Sequence, residues 1–304
     1  MSGWEFPKPL PDELGYGLVA RYFAQWSDLD RRGVLDGLTQ RRIVNTHPAT
    51  VPGLTSIAQA AFPNEEHPVP IFVRRHTLLT YVMAFAPQEK QQRILTTISQ
   101  KKEDSIQRLS LTSSRHCWPR TMQLCPACLQ DDIGSARTPY WRRTHHMPGI
   151  AHCLRHGRRL HTTSRQFAYA PAAAPATPLS VLCKFSAESE VKPLFNRCLE
   201  RTLIDPSLAA LKGKLVAPLS GSVAHYRKLI RNIDRTRSSI DTLDFSGVHW
   251  TFTHWLKQNG CEESSLGPKD WLRPLLTNVQ GTPSTLQHLL LRAFLAAKRP
   301  WTFS

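Results

Sequence analysis

Apolar residues recur at helical spacing through most of the chain. Leu14, Leu18, Val19, Tyr22, Phe23 and Trp26 fall on one helical face, and Asp12 stands where it can cap that helix. Ser27 can cap a second helix carrying Leu29, Val34, Leu35 and Leu38. After a proline-containing loop, 53–62 places Leu54, Ile57, Ala58 and Ala61 on one side. A further apolar helix is expected over 77–85 and another over 87–98, with Ile106 and Leu109 following. The helical period then fades. Residues 115–165 carry few long periodic runs, and Pro139-Tyr140-Trp141-Arg142-Arg143 reads as a strand or loop. The Pro/Ala-rich stretch 166–180 reads as a linker or exposed loop. Helical spacing returns over 225–240, with Tyr226, Leu229, Ile230 and Ile233 on one side, and 250–256 is apolar. A last helical pair covers 267–276 and 282–298, with Gly281 and Pro283 at the turn. Leu286, Leu289, Leu290, Phe294 and Leu295 supply its buried stripe.

Charge adds a partner class to this pattern. The 304 residues hold 39 Lys+Arg against 23 Asp+Glu, a formal net charge of +16. Hydrophobic residues make up 41%, which is enough for a packed core and argues against a disordered chain. No run of about 18 apolar residues is present, so no membrane span is expected. The N-terminus lacks a basic region followed by an apolar stretch, so no secretory signal is expected and the reading is cytoplasmic. A basic, globular chain points to a polyanion, most often nucleic acid. The excess is unevenly placed: 10 basic and 9 acidic residues in 1–100, 12 and 4 in 101–165, and 17 and 10 in 166–304. Lys212, Lys214, Arg227, Lys228, Arg231, Arg235 and Arg237 stand close together with Asp234 as the one acid. Arg227, Arg231 and Arg235 share a helical face, which can track phosphates or be simply solvated. Arg142 and Arg143 are further candidates for nucleic-acid contact.

The seven cysteines locate the chemistry. Cys125-Pro126-Ala127-Cys128 is followed, 24 residues later, by Cys153-Leu154-Arg155-His156. Two pairs with two-residue spacers offer three thiolates and one imidazole, each pair on a tight knuckle. This donor set suits Zn²⁺, and four protein ligands leave no open position for a reacting water. The expectation is one structural zinc on Cys125, Cys128, Cys153 and His156. A redox dithiol would want a βαβ setting, and a zinc deaminase would want an upstream His-x-Glu. Neither pattern is present. His116, Cys117, His145, His146, His152 and His161 lie near enough in sequence to substitute for a ligand or support one. A second site built from His116, Cys117 and Cys183 is the other arrangement the donors allow.

The fold expected from these elements is mainly α. It has an N-terminal helical domain of helix-turn-helix type over 1–112 and a zinc-knuckle subdomain over 113–165. A linker or loop over 166–187 and a C-terminal helical domain over 188–304 follow. An ordinary small helical bundle fits the N-terminal pattern equally, since periodicity does not separate the two.

Three stretches carry a family resemblance: Leu124-Cys-Pro-Ala-Cys-Leu-Gln-Asp-Asp132, Pro139-Tyr-Trp-Arg-Arg-Thr-His-His-Met-Pro-Gly-Ile150 and Cys153-Leu-Arg-His-Gly-Arg-Arg-Leu160. Together they resemble the TniQ/TnsD family of transposon target-site selection proteins. Phe6-Pro-Lys-Pro-Leu-Pro-Asp-Glu13 is similar to the family's start. Arg75-His-Thr-Leu-Leu-Thr-Tyr-Val-Met-Ala-Phe85, Trp271-Leu-Arg-Pro-Leu-Leu276 and Leu286-Gln-His-Leu-Leu-Leu-Arg-Ala-Phe-Leu295 resemble further family segments. The likeness places Cys125, Cys128, Cys153 and His156 at the family's zinc positions and gives His145 a packing or supporting role. Two features depart from it: Leu154 stands where a proline is usual, and the downstream C-x-x-C ribbon of many relatives is missing.

What the resemblance implies is a bacterial, non-enzymatic protein of DNA transposition. Its family members mark the insertion site and recruit an AAA+ ATPase regulator of TnsC type. Short TniQ members serve as dimeric adaptors on a Cascade complex with guide RNA. Long TnsD members bind a chosen DNA sequence directly. The end of the chain soon after Leu295 leaves little room for an added DNA-reading domain and favours the adaptor. The basic 212–237 region favours the DNA binder. A metalloenzyme would lack both an open metal position and a general base beside the knuckles.

Overall fold

Capping chemistry and apolar faces set the elements of the computed structural model. It describes residues 5–26, 53–100, 117–135, 137–166, 189–214, 223–233, 245–267, 271–277 and 283–298, with positions 33, 49, 51, 177 and 178. Among these, eleven α-helices dominate. In chain order the first six are α1 (Gly15–Phe23), α2 (Leu54–Ala61), α3 (Pro68–His76), α4 (Leu79–Met83), α5 (Gln88–Ser99) and α6 (Pro126–Gly134). The remaining five are α7 (Arg197–Leu211), α8 (Val223–Ile233), α9 (Phe245–Gln258), α10 (Arg273–Leu276) and α11 (Thr285–Ala297). Two strands, β1 (Thr121–Leu124) and β2 (His161–Gln166), pair antiparallel, with Gln123 opposite Thr162 and Leu124 opposite His161. Among the described residues no helix is long and apolar enough to cross a membrane.

Several helices start where their side chains dictate. Ser284 and Gln287 form a reciprocal capping box at α11: the Gln287 amide donates to Ser284 Oγ at 3.3 Å, and the Ser284 amide to Gln287 Oε1 at 2.7 Å. Asn196 caps α7 through the Leu199 amide at 2.9 Å. Asp12 behaves differently from the expected cap. Its φ is +59°, α1 begins three residues later, and no side-chain cap is made there. Its carboxylate instead accepts from the Thr144 amide at 3.2 Å and the Thr144 hydroxyl at 2.6 Å.

Helices α3, α6 and α7 were not apparent in the pattern. In α3, Pro68 sits at the start and Pro70 in the first turn, where neither must donate. In α7, Pro206 lies inside the helix. The expected apolar helix over 77–85 is shorter, Leu79–Met83, and 267–276 yields helix over Arg273–Leu276. The helix expected after Ser27 lies outside the described residues apart from Gly33, as do 101–116, 167–176 and 234–244.

The first and last parts of the chain share one core. Buried Leu18, Phe72, Tyr81, Trp141, Phe252, Leu286 and Phe294 belong to a single apolar cluster. Polar links tie the same surfaces. Thr80 Oγ1 donates to the Leu211 carbonyl at 2.7 Å, and Thr285 Oγ1 to the Tyr81 carbonyl at 2.5 Å. His288 stacks on Phe85 with ring centroids 4.2 Å apart and planes 2° apart. Residues 12–14 run antiparallel to 141–143: the Arg143 amide donates to the Asp12 carbonyl, and the Leu14 amide to the Trp141 carbonyl, each at 2.8 Å. The opening Pro-rich segment is thereby fastened to the central segment that carries the cysteines.

Candidate metal centre

Each donor pair, Cys125 with Cys128 and Cys153 with His156, sits on a turn built by its own sequence. Cys125 follows β1 in extended conformation and is the N-cap residue of α6, with Pro126 at the first helical position. That geometry turns Cys128, in the first helical turn, back toward Cys125. In the second knuckle the Gly157 amide donates to the Cys153 carbonyl, and the Cys153 amide to the Arg158 carbonyl, both at 2.8 Å. Gly157 has φ +65°, a left-handed turn that a glycine makes without strain.

The two knuckles bring four donors to one point. His156 Nδ1 lies 3.6 Å from Cys125 Sγ, 3.3 Å from Cys128 Sγ and 3.6 Å from Cys153 Sγ. Cys128 Sγ and Cys153 Sγ are 3.6 Å apart, and all four donors lie within 4.8 Å of one another. Metal–sulfur bonds of about 2.3 Å and metal–nitrogen bonds of about 2.0 Å put the donors of a tetrahedral ion about 3.6–3.8 Å apart. The cage therefore fits one metal ion. The thiols are buried and share their protons. Hydrogen bonding with Cys125 and Cys153, together with burial, pushes the Cys128 thiol far up, while hydrogen bonds from Cys125 and Cys128 pull the Cys153 thiol down. A divalent cation held by Cys125, Cys128, Cys153 and His156 would remove that competition and take all three cysteines as thiolates.

The surroundings orient the ligands. His156 Nε2 lies 3.0 Å from Asp131 Oδ2, which fixes the ring so that Nδ1 faces the cysteines. Arg155 reaches the same carboxylate at 2.8 Å. His145 Nε2 lies 3.8 Å from Cys128 Sγ, placing this buried histidine beside the cage as support. Ala151, Leu160 and Val191 close an apolar shell around the cysteines. Among the described residues these four donors are the one group arranged for a metal. His146, 0% exposed, joins two backbones instead: Nε2 accepts from the Gln123 amide at 3.0 Å, so Nδ1–H donates to the Arg142 carbonyl at 2.9 Å. Burial holds its pKa down to about 3, so the ring stays neutral. Cys117 donates to the Leu266 carbonyl at 3.3 Å, and burial pushes its thiol up to about 12. It takes no part in the cage, and His116 and Cys183 lie outside the described residues.

A carboxylate from α7 completes the centre. Glu200, 1% exposed, accepts at Oε1 from the amides of Ala151 at 2.9 Å and His152 at 3.0 Å, and at Oε2 from His152 Nδ1 at 2.6 Å. It thus holds the backbone leading into Cys153. Glu200 escaped sequence reading, because a glutamate 47 positions beyond a ligand leaves no local signature.

The arginines beside the cage are engaged inside the protein. Arg142 pairs with buried Asp132 at 2.7 Å and lies over the Tyr140 ring at 4.2 Å. Burial works against its charge, and the Asp132 carboxylate outweighs that. Arg143 is 6% exposed, pairs with Asp12 at 3.2 Å, and donates to the carbonyls of Thr77, at 3.1 Å, and Arg74. Elsewhere, Lys212, Lys214 and Lys228 are exposed, while Arg227 is half-buried and donates to the Leu276 carbonyl at 2.8 Å. Arg231 lies in α8 with its side chain undescribed, and Arg235 and Arg237 fall outside the described residues.

The unit formed by the Pro-rich start, the central segment and the two knuckles coincides with a known family. The TniQ family model matches residues 5–160. The TnsD transposition protein of transposon Tn7 from Escherichia coli is 22% identical over 153 residues, covering 50% of this chain. The chain spans 30% of that relative's length. With half of its length matched by the family model, and the matched part ending at the second knuckle, the chain belongs to the TniQ family.

Proposed function

We propose that this protein is a target-site selection adaptor for DNA transposition, of TniQ type. In this reading it links a Cascade complex carrying guide RNA to an AAA+ transposition regulator of TnsC type. The observation that carries the reading is the closed cage at the end of the family segment. Three thiols and an imidazole within reach of one ion suit zinc, which would fold the central segment. Such a centre presents a rigid surface for assembly and has no position for a reacting water. Cys125, Cys128, Cys153 and His156 would hold the zinc, with Asp131, His145 and Glu200 positioning them.

The inward use of Arg142, Arg143 and Arg227 supports an adaptor over a protein that reads a DNA sequence by itself. The second reading, a TnsD-like binder of one attachment site, is favoured by exposed Lys212, Lys214 and Lys228 and by the likeness to Tn7 TnsD. A pull-down with the tagged protein separates the two. Co-purification of Cascade subunits, guide RNA and the ATPase is expected. Tight binding to one specific duplex without guide RNA would replace the adaptor reading by the second.

A further inference from the structure

Among the described residues, two large apolar side chains are exposed, and Trp250, 69% exposed, is the larger. It lines an open cleft of about 480 Å³ with Phe245, Ser246, His249, Thr253 and Arg273. The cleft is ordered by its neighbours. The His254 ring lies against Trp250 with centroids 5.5 Å apart and planes 8° apart, and Gln258 holds that ring at 3.0 Å. An indole stacked on one face and still this exposed keeps its other face toward solvent. Glu263 fixes His249 at 3.0 Å and Thr253 at 3.2 Å. The Arg273 guanidinium lies 5.1 Å over the Phe245 ring and is exposed. Among the described residues no carboxylate is part of the cleft lining, Glu263 standing behind His249 and Thr253, and none pairs with Arg273.

The cleft's Arg273 lies on α10, which packs against α8. Arg227 of α8 donates to the Leu276 carbonyl at the end of α10, and Arg273 stands at the start of that same four-residue helix. Exposed Lys228 follows Arg227 directly. Two exposed cations, Arg273 on α10 and Lys228 on the neighbouring α8, thus accompany an aromatic floor large enough for one nucleotide. A polyanion with flat, stackable faces complements this arrangement: the rings take a base and the cations its phosphates.

We propose that the Phe245–Trp250 cleft binds an unpaired nucleotide of a single-stranded nucleic acid, stacked on Trp250 with its phosphate at Arg273. This rests on the reading that the α8 surface faces nucleic acid. The test uses the zinc-loaded full chain and fluorescein-labelled single strands of oligo-dT and oligo-rU, with a DNA duplex of equal length. Anisotropy should show Trp250→Ala weakening single-strand binding about tenfold, within the range expected for removing one stacked base, with Trp250→Phe retaining most of it and the duplex little affected. Arg273→Ala should flatten the salt dependence by about one phosphate. An unchanged melting temperature confirms that these exposed positions leave the fold intact. A stronger loss with oligo-rU assigns the site to RNA and one with oligo-dT to DNA, and either supports the proposal. Equal single-strand binding by Trp250→Ala and wild type overturns it. If Lys228→Glu weakens binding in that case, the α8 reading survives and the cleft alone fails. If wild type binds no strand, both fail. Loss of the ATPase or Cascade by Trp250→Ala with strand binding intact makes the cleft a protein-binding surface and also overturns the proposal.

Discussion

His152 donates from Nδ1 to Glu200 Oε2 at 2.6 Å, while Glu200 Oε1 receives the amides of Ala151 and His152. One carboxylate on α7 thus holds three donors immediately before Cys153. Removing it leaves buried amides without an acceptor, at about 1–3 kcal/mol. Glu200→Ala should lower the melting temperature by several degrees and speed metal loss to a chelator by about tenfold or more. Glu200→Gln, which keeps an acceptor oxygen, should recover part of both. Metal release and melting measured on the three proteins check this. Wild-type release from Glu200→Ala would show that α7 does not position the knuckle.

Cys128 has the most crowded sulfur, with Cys153 Sγ at 3.6 Å, His156 Nδ1 at 3.3 Å and His145 Nε2 at 3.8 Å. Cys128→Ala should abolish stoichiometric zinc and unfold the central segment, because binding energy at such a site is folding energy. Chelation of the wild type should do the same. Elemental analysis with protease sensitivity mapped to 117–166 is the check. A variant that keeps one zinc per chain and full thermal stability would remove Cys128 from the ligand set.

The cage was legible because its information is local: two pairs with fixed spacers, each on a turn that Pro126 or Gly157 makes easy. The helices over Leu54–Ala61 and Thr285–Ala297 were legible for the same reason, their apolar faces and Ser284 being contiguous in sequence. What escaped depends on partners far along the chain. Asp12 has the composition of a cap, yet its carboxylate is drawn to Thr144, 132 residues away. Arg142 and Arg143 look like surface charge until Asp132, Asp12 and two carbonyls surround them. The helix at Arg197–Leu211 was hidden by Pro206, tolerated because packing of α7 against α4 and α11 outweighs one missing backbone bond.

Three buried histidines make stability fall in acid. Burial lowers His76 to about 4, and His146 and His288 to about 3, each below its ordinary value near 6.5. The folded state then binds fewer protons than the unfolded chain. Stability is fully present above about pH 6.5 and is lost as pH falls toward these folded values, each histidine adding up to about 1.36 kcal/mol per pH unit. Urea unfolding at pH 7 and pH 5 should show this fall. His288 is far from the cage in sequence and accepts no metal, so His288→Gln isolates the effect from metal release. It should be less stable at pH 7 through its contacts with Tyr226 and Phe85, yet show a shallower acid slope. An acid slope equal to wild type would mean that His288 titrates normally in the fold.

Basic residues of this chain divide into those used inside and those left outside, and two measurements should separate them. Arg143 holds Asp12 and two backbone carbonyls at 6% exposure, so Arg143→Ala strands three acceptors. The expected loss is about 1–3 kcal/mol of stability. Nucleic-acid affinity should change only as far as the folded fraction does. Lys212, Lys214 and Lys228 are exposed, so their triple alanine variant should melt within a degree or two of wild type. Non-specific duplex binding by wild type should be weak and fall steeply with salt, with log affinity linear in log salt. Each phosphate that a variant no longer neutralises flattens that slope by about 0.9, so the combined effect of three lysines would be plain in a titration across salt. The pairing of results carries the argument: a stability loss without a slope change for Arg143, and a slope change without a stability loss for the lysines. The opposite pairing would return Arg143 to the nucleic-acid surface and make the lysines bystanders.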